Sequence, residues 1–234
     1  MATSLSHETQ PVQPALVPPL QNGDRLTHDE FERRYRAMPH LKKAELVEGV
    51  VYIMPSPVST EGHASPQADL ATVLGLYRAY TPGVQMADNA TVRLDSDNEP
   101  QPDLSLRIVD ERVGQSRLED GYIIGAPELV AEVAASSASY DLHDKMHAYR
   151  RNAVREYLVW RVLDSAIDWF VLRGGAYQRL PLVDGQYRSE GFPGLWLEPA
   201  ALLAGDLPRV LEVLQAGLAS DEHARFVAQF QATT

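Results

Sequence analysis

The stretch from residue 128 to residue 162 constrains the fold more than any other part of the sequence. It opens with a short apolar run, Leu129-Val130-Ala131-Glu132-Val133, which predicts a buried strand over 128–134. The pattern that follows predicts a helix over 139–152 and then a second strand over 156–162. A strand-helix-strand unit inside a mixed sheet indicates an α/β (mixed α+β) fold.

Shorter patterns supply the rest of the predicted sheet and its flanking helices. Two β-rich halves around Gly49 favour a hairpin or a bulged strand over 45–54. Apolar residues at steps of three and four predict an amphipathic helix over 61–80 that covers one sheet face. Further segments are predicted as a short helix after Thr27, strands over 84–94 and 103–109, and a hairpin of 167–172 against 176–180 that turns at Gly174-Gly175. We expect 103–109 and 128–134 to be central strands.

Composition divides the chain into three parts. Residues 1–24 are polar and proline-rich and are expected to form a flexible arm without a fold of its own. At 234 residues and 44% hydrophobic content, the chain can bury one good core, which we assign to a domain over 25–205. Residues 206–234 carry apolar residues at helical spacing, so we expect a C-terminal extension of one or two helices.

Charge and residue usage exclude several classes of protein. The chain has no cysteine, which excludes disulfides and thiolate metal sites and leaves oxygen or imidazole as metal ligands. No apolar run is long enough to cross a membrane and no signal-peptide pattern is present, so a cytoplasmic location without a membrane partner is expected. The net charge of −11 counts against strong nonspecific binding of nucleic acid.

Two carboxylates fall in or beside the predicted central strands. Asp103 follows Pro102 at the start of the run 104–106, and Glu132 interrupts the run 129–133. A carboxylate in an apolar strand keeps its charge only beside a positive group, and paired carboxylates commonly hold a divalent cation. We therefore predict that Asp103 and Glu132 bind Mg²⁺ or Mn²⁺.

The predicted helix after Glu132 supplies a cation. Asp141 precedes Lys145 by four residues and Tyr149 follows it by four, so the three side chains share one helix face. Metal-assisted hydrolysis of a phosphodiester needs a positive group near the developing charge, and Lys145 is predicted for this role. Taken singly, Asp141 and Lys145 are better explained as a surface ion pair and Tyr149 equally well as a core aromatic. The combination is what indicates a site.

Further polar residues have two interpretations each. Glu45, at the front of the β-rich segment, is either a third metal ligand or a solvent-facing charge at a strand start; Glu48 lies three residues on. His63 precedes the long helix as a cap or surface residue, with a metal or phosphate contact as the less favoured option. Two basic clusters are better explained as solvated helix faces than as a phosphate-binding groove: Arg33, Arg34, Arg36, Lys42 and Lys43, and Arg150, Arg151 and Arg155.

Several motifs recur in a fixed order between about Thr27 and Leu180. They are Glu45-Leu46-Val47-Glu48-Gly49, Ser59 to His63, Gln101-Pro102-Asp103-Leu104, Pro127-Glu128-Leu129-Val130-Ala131-Glu132-Val133, Asp141-Leu142-His143-Asp144-Lys145 with Tyr149, and Val154-Arg155-Glu156-Tyr157. Together they resemble the restriction endonuclease-like family of the PD-(D/E)XK nuclease superfamily.

The resemblance implies a restriction endonuclease-like core with a four-stranded mixed sheet flanked by helices, Mg²⁺ or Mn²⁺ on Asp103 and Glu132, and a homodimer. It implies supporting positions at Glu48, His63, Gln101, Asp141 and Tyr149. Two departures stand out. Much of the superfamily has its lysine two residues after the glutamate, where this chain has Ala134, so the lysine is assigned to Lys145. Related proteins read Glu-Val-Leu-Ser-Pro-Ser where this chain has Glu132-Val133-Ala134-Ala135-Ser136-Ser137.

Three functions are consistent with these observations. The leading hypothesis is a metal-dependent endonuclease that hydrolyses phosphodiester bonds of DNA. The acidic charge and the altered residues after Glu132 favour a noncatalytic dimeric binding or scaffold protein with the same fold. A metal-dependent hydrolase of a small phosphorylated molecule fits the acidic surface better than a nuclease does.

Overall fold

Most of the chain is built from short strands and helices in alternation. The structure, a computed structural model, describes residues 17–54, 59–135 and 140–231. The helices are α1 (His28–Arg36), α2 (Ser65–Tyr80), α3 (Met146–Arg151), α4 (Pro199–Leu203), α5 (Leu207–Leu218) and α6 (Asp221–Gln231), and the π-helical turns Thr60–Ala64 and Asp141–Lys145 lead into α2 and α3. The strands are β1 (Ala44–Val47), β2 (Val50–Ile53), β3 (Val84–Asp88), β4 (Val92–Arg93), β5 (Leu104–Ile108), β6 (Arg117–Glu119), β7 (Tyr122–Ile124), β8 (Leu129–Ala134), β9 (Glu156–Arg161), β10 (Ala166–Arg173), β11 (Ala176–Arg179), β12 (Tyr187–Arg188) and β13 (Trp196–Leu197).

A mixed sheet of six strands lies at the centre, in the order β11-β10-β9-β8-β5-β3. The β8 and β9 strands pair in parallel, whereas the other neighbours are antiparallel. The strand-helix-strand unit, the mixed α+β class and the central positions of β5 and β8 are confirmed. The four strands β9-β8-β5-β3 correspond to the implied core, and the predicted hairpin β10–β11 pairs onto β9 and extends the same sheet to six strands.

The two faces of the central sheet pack into different clusters of buried residues. In β8, Leu129, Ala131 and Val133 pack into the main core, while Val130 and Ala134 pack into a second cluster that includes Tyr149 of α3. Side chains in a strand alternate between faces, so Glu132 points to the same face as Val130 and Ala134. That face is covered by the crossover helix that carries Lys145 and Tyr149.

The main core lies on the opposite face, under α2 and the C-terminal helices. Its buried residues include Leu70, Leu74 and Tyr77 of α2, together with Val210, Leu214 and Phe226 from α5 and α6. Each wholly buried side chain of this size contributes about 1.5–3 kcal/mol. The C-terminal helices therefore share one core with the sheet. No helix in the described part of the chain is long and apolar enough to cross a membrane.

The first hairpin, β1–β2, lies outside the central sheet. It turns at Glu48 and Gly49, both of which have positive φ, at 53° and 71°. Glycine adopts this conformation without strain, and paired positive φ values are typical of tight hairpin turns. The hairpin prediction is confirmed. Its buried residues Ala44, Leu46 and Val51 form a small separate cluster with Phe31 of α1 and Leu20.

Two other segments differ from expectation. The predicted strand over 84–94 is two strands, because the chain turns at Asn89, where φ is 50°, and β4 joins a separate sheet in the order β4-β7-β6. The strands β6 and β7 lie in a segment that reads as turn-like and acidic. Of the predicted arm, residues 1–16 lie outside the described residues, while Leu20 is buried and the Gly23 N–H donates to the Val51 carbonyl at 2.8 Å.

Candidate metal and catalytic centre

Lys145 lies at the centre of a buried cluster of carboxylates. Its Nζ atom is 2.9 Å from Glu132 Oε1, 3.0 Å from Glu45 Oε1 and 3.6 Å from Asp141 Oδ1. The side chain is only 3% exposed. The π-helical turn before α3 brings Asp141 and Lys145 inward together, and Tyr149, one turn further on, donates its hydroxyl to Glu132 Oε1 at 2.9 Å.

Asp103 lies beside Glu132 because of the register of β5 and β8. Leu104 pairs with Ala131, so one further step along each strand brings Asp103 opposite Glu132 on the same face. The Val133 N–H donates to Asp103 Oδ2 at 2.9 Å, and the Asp103 N–H donates to Glu132 Oε2 at 3.4 Å. These backbone bonds fix both carboxylates at the end of the sheet.

Two basic side chains approach Asp103 from the other side. His63 Nε2 is 3.2 Å from Asp103 Oδ2, and Lys43 Nζ is 3.2 Å from Oδ1. His63 comes from the π-helical turn before α2, and Lys43 immediately precedes β1. Both side chains are about a quarter exposed, at 24% and 22%, so this half of the cluster is its solvent-accessible side.

Glu45 reaches the cluster from the separate hairpin. Its Oε1 atom accepts a hydrogen bond from the Gln101 N–H at 2.7 Å and contacts Lys145. Its Oε2 atom is buried and has no hydrogen-bond partner within the described part of the chain. The Gln101 side chain donates to the Ala44 carbonyl at 3.2 Å, so Gln101 ties the hairpin to the segment that leads into Asp103.

The charges in this cluster perturb one another strongly. Burial raises the pKa of Glu132 to about 8; Lys145 opposes this effect, and the carboxylates of Asp103, Asp141 and Glu45 add to it. Burial alone would lower the pKa of Lys145, but Glu132, Glu45 and Asp141 hold it well above its ordinary value. Burial also disfavours an ionised Asp103, yet His63, Lys43 and the Val133 N–H hold its pKa below the ordinary value.

The cluster has the composition of a divalent cation site. Asp103, Glu132, Glu45 and Asp141 face two ammonium groups, so the acids exceed the lysines by two. Oxygen donors suit Mg²⁺ and Mn²⁺, and the unpartnered Glu45 Oε2 is an available ligand atom. In donor chemistry these residues fit the ion that the superfamily resemblance implies, while among the described residues only His28, Glu32 and Glu99 bring three such ligand atoms within 4.8 Å of one another.

Most of the predicted site residues come together here, and one does not. Asp103, Glu132, Lys145, Glu45, Asp141, Tyr149, His63 and Gln101 are joined by the contacts above. Glu48 is not part of this network, because it occupies the hairpin turn, where its carboxylate pairs with Arg151 at 3.1 Å and lies 3.7 Å from His147. The supporting role of Glu48 stays a prediction.

Sequence reasoning missed two contributors. The sequence favours Lys43 as part of a solvated basic face, whereas it contacts Asp103. Tyr140 places its ring 5.3 Å from Lys145 Nζ and stacks on Tyr52 with ring centroids 4.1 Å apart. Tyr140 could have been suspected from its position beside Asp141, but a contact such as that of Lys43 across 60 residues leaves no local pattern.

A second acidic cluster offers a different candidate for metal binding. One ligand atom each from His28, Glu32 and Glu99 lies within 4.8 Å of the other two. Arg93 pairs with both acids, at 2.5 Å from Glu32 and 3.1 Å from Glu99, and Arg36 pairs with Glu32. Two guanidinium groups thus already balance two carboxylates, so a dication would add uncompensated charge. A cavity of about 380 Å³ adjoins this cluster, and Gln101 lines it.

Comparison with known proteins assigns the fold to a family. The family model Uma2, described as "Putative restriction endonuclease", matches residues 28–201. The chain belongs to the Uma2 family. This confirms the restriction endonuclease-like resemblance, and the matched residues include every element that supplies the Uma2 protein's carboxylate cluster.

A solved structure shares the fold. It is described as a "putative nuclease belonging to DUF820" from Anabaena variabilis, with a TM-score of 0.56 and 14% identity, and the alignment covers 76% of the present chain and 98% of the other. At this identity the match supports the shared fold of this Uma2 protein. No curated protein matches the sequence.

Proposed function

We propose that the protein is a metal-dependent endonuclease of the PD-(D/E)XK type that hydrolyses phosphodiester bonds of DNA. The observation that carries the proposal is the buried cluster in which Lys145 joins Glu132 and Glu45 while Asp103 lies opposite Glu132. The cluster lies in a chain of the Uma2 family, which is described as "Putative restriction endonuclease". Its chemistry suits phosphodiester hydrolysis because it combines hard oxygen ligands with a fixed positive charge.

Asp103 and Glu132 would hold Mg²⁺ or Mn²⁺, with Glu45 Oε2 as a third ligand. Such a cation, when bound, polarises a phosphoryl oxygen and acidifies a coordinated water. The protein's contribution is to hold the ligands rigidly: the Val133 N–H fixes Asp103, Lys145 and Tyr149 fix Glu132, and the Gln101 N–H fixes Glu45. Ligand oxygens positioned before the cation arrives do not have to be ordered when it binds.

Lys145 acts as a fixed charge in this scheme. Its pKa lies well above the ordinary value, so at neutral pH the amine keeps its proton and does not serve as a general base. Its ammonium orients Glu132 and Glu45 and stabilises negative charge that develops on the phosphoryl oxygens. The superfamily's strand lysine would approach the same carboxylate from position 134, whereas here the charge comes from the crossover helix.

Cleavage assays with a matched acid variant test the proposal. Purified protein is incubated with plasmid DNA, RNA and nucleotides in Mg²⁺ or Mn²⁺, and Asp103→Asn is compared with Asp120→Asn, an exposed acid in the turn between β6 and β7. We expect DNA cleavage that Asp103→Asn lowers at least about a hundredfold and Asp120→Asn leaves unchanged. Cleavage of nucleotides alone would favour the small-molecule hydrolase.

Metal binding separates the nuclease from a scaffold. Calorimetric titration with Mn²⁺ should show binding that Asp103→Asn abolishes, and no binding at millimolar Mn²⁺ would favour the noncatalytic alternative. A cytoplasmic homodimer belongs to the same proposal, and sedimentation of the purified protein at micromolar concentration tests the dimer.

A further inference from the structure

Lys43 holds the solvent-accessible side of the carboxylate cluster. Its Nζ atom is shared between Asp103 Oδ1 at 3.2 Å and Asn89 Oδ1 at 3.1 Å. The other buried ammonium, Lys145, contacts three carboxylates and is 3% exposed, whereas Lys43 is 22% exposed. The two lysines therefore differ in environment: one is enclosed, and the other lies at the boundary with solvent.

The contact with Lys43 blocks the metal's access to Asp103. Asp103 Oδ2 is already engaged by the Val133 N–H and by His63, so Oδ1 is the atom with the more easily displaced partner. An ammonium and a divalent cation bound to one carboxylate oxygen would lie within a few ångström of each other, where like charges repel strongly in a buried setting. A metal that binds Asp103 must therefore displace Lys43.

Asn89 provides a place for the displaced amine. Its carbonyl oxygen already accepts from Lys43, and Asn89 itself is exposed, in the turn that follows β3. Lys43 can keep this partner while it releases Asp103. Its flexible stem of four methylenes lets the ammonium move to the outside of the cluster without a change in the backbone.

We propose that Lys43 exchanges partners during loading of the site: it neutralises Asp103 in the metal-free protein, and metal binding releases it to contact the substrate phosphate. This inference rests on the proposed function. It makes Lys43 a phosphate-binding residue and a competitor of the metal at once. The chain has a net negative charge, which repels a phosphodiester. A released Lys43 ammonium would attract the phosphate to the site despite that charge.

The exchange predicts that removal of the Lys43 charge changes two measured quantities in opposite directions: the Mn²⁺ affinity rises and kcat/KM for DNA cleavage falls. Lys43→Met keeps most of the side-chain volume and removes the charge, and Lys42→Met removes an exposed lysine next to it. Calorimetric titration with Mn²⁺ alone should show about tenfold tighter binding to Lys43→Met than to the natural protein. Cleavage of plasmid DNA at saturating Mn²⁺ should show kcat/KM lowered about tenfold by the same variant. Lys42→Met should change the Mn²⁺ affinity by less than about twofold.

The outcomes are separable. Unchanged or weaker Mn²⁺ binding in Lys43→Met, or an equal gain in Lys42→Met, overturns the exchange; so does an unchanged kcat/KM. If Asp103→Asn binds Mn²⁺ as well as the natural protein does, the proposed function fails and the exchange fails with it. If Asp103→Asn loses Mn²⁺ while Lys43→Met behaves as the natural protein, only the exchange fails. Should Lys43→Met not fold, Lys43→Gln gives the same comparison with a polar side chain.

Discussion

Lys145 Nζ and Glu132 Oε1 lie 2.9 Å apart although one belongs to a helix and the other to a strand. The pair arises from one strand-to-helix connection. Glu132 points out from one face of β8, and the helical segment that follows packs over that face and carries Lys145. A lysine on β8 would extend from the same strand as Glu132. Lys145 instead reaches Glu132 from the helical segment that covers this face of the sheet, and from there it also contacts Glu45.

Removal of the Lys145 charge should destabilise the metal-free protein. Lys145→Met leaves three buried carboxylates without their shared cation, and breaking a buried ion pair costs about 3–5 kcal/mol. We expect urea unfolding to show a loss of this size, and millimolar Mn²⁺ to restore part of it because the metal replaces the missing positive charge. Lys42→Met, an exposed control, should change stability by less than about 0.5 kcal/mol. Equal stability of Lys145→Met and the natural protein would show that the cluster is not organised by this lysine.

Metal binding should release a proton near neutral pH. The pKa of Glu132 lies at about 8 in the metal-free protein, so at pH 7 the carboxylate is mostly protonated and the metal must displace that proton. Affinity for Mn²⁺ should therefore rise as pH increases toward 8, by up to about tenfold per unit, and level off above it. Titration at pH 7 in buffers of different ionisation enthalpy should give about one proton released. Heats that do not depend on the buffer at pH 7 would contradict a protonated Glu132.

Mutation in the cluster of His28, Glu32 and Glu99 should lower the stability of the protein without changing the number of metal ions it binds. Glu99→Gln weakens the contacts of Arg93 and His28 with a buried acid, and we expect a loss of about 2–4 kcal/mol in the free energy of unfolding. The number of Mn²⁺ ions bound should stay the same, since the arginines already balance the acids. A variant that loses one bound Mn²⁺ and keeps its stability would instead identify this cluster as a metal site.

Tyr149 should contribute through its hydroxyl. Tyr149→Phe removes the hydrogen bond to Glu132 Oε1, which contributes about 1 kcal/mol at pH 7, where the carboxyl group is mostly protonated, and about 1.5–3 kcal/mol above pH 8, where it is ionised. Tyr177→Phe provides the matched control, because its hydroxyl donates to the neutral Val154 carbonyl at 2.9 Å and its loss should cost about 1 kcal/mol. Only Tyr149→Phe should also weaken Mn²⁺ binding, by a few-fold. An equal effect of both variants on Mn²⁺ would remove Tyr149 from the site.

The sequence predicts the parts of this site that depend on local pattern. Asp103 and Glu132 can be recognised because a charged residue in an apolar strand is rare, and Asp141, Lys145 and Tyr149 because helical spacing aligns them. Gly49 and Gly174-Gly175 mark the hairpin turns for a similar reason. In each case the information lies within a few residues, where backbone geometry links the pattern to the structure.

The rest depends on how distant segments pack. Lys43 sits in a run of basic residues that has no period, and its partner Asp103 is 60 residues away. The sheet exceeds four strands because β10 and β11 continue it, although the sequence pattern does not show whether a hairpin pairs with the sheet or stands apart. Glu48 and Glu45 look alike in the sequence, yet the turn at Gly49 separates their surroundings.

The hairpin that carries Glu45 packs with Leu20 and Phe31 in a small cluster apart from the main core, and its backbone bonds to the rest of the domain include those between Leu46 and Glu99, of 2.7 and 3.2 Å. A unit with a separate core can open at a lower free energy than the whole domain. Glu45 would then leave the other carboxylates while the central sheet stays folded. Amide hydrogen exchange in β1 and β2 should therefore slow when Mn²⁺ binds, and the occupancy of the metal should set how often this hairpin opens.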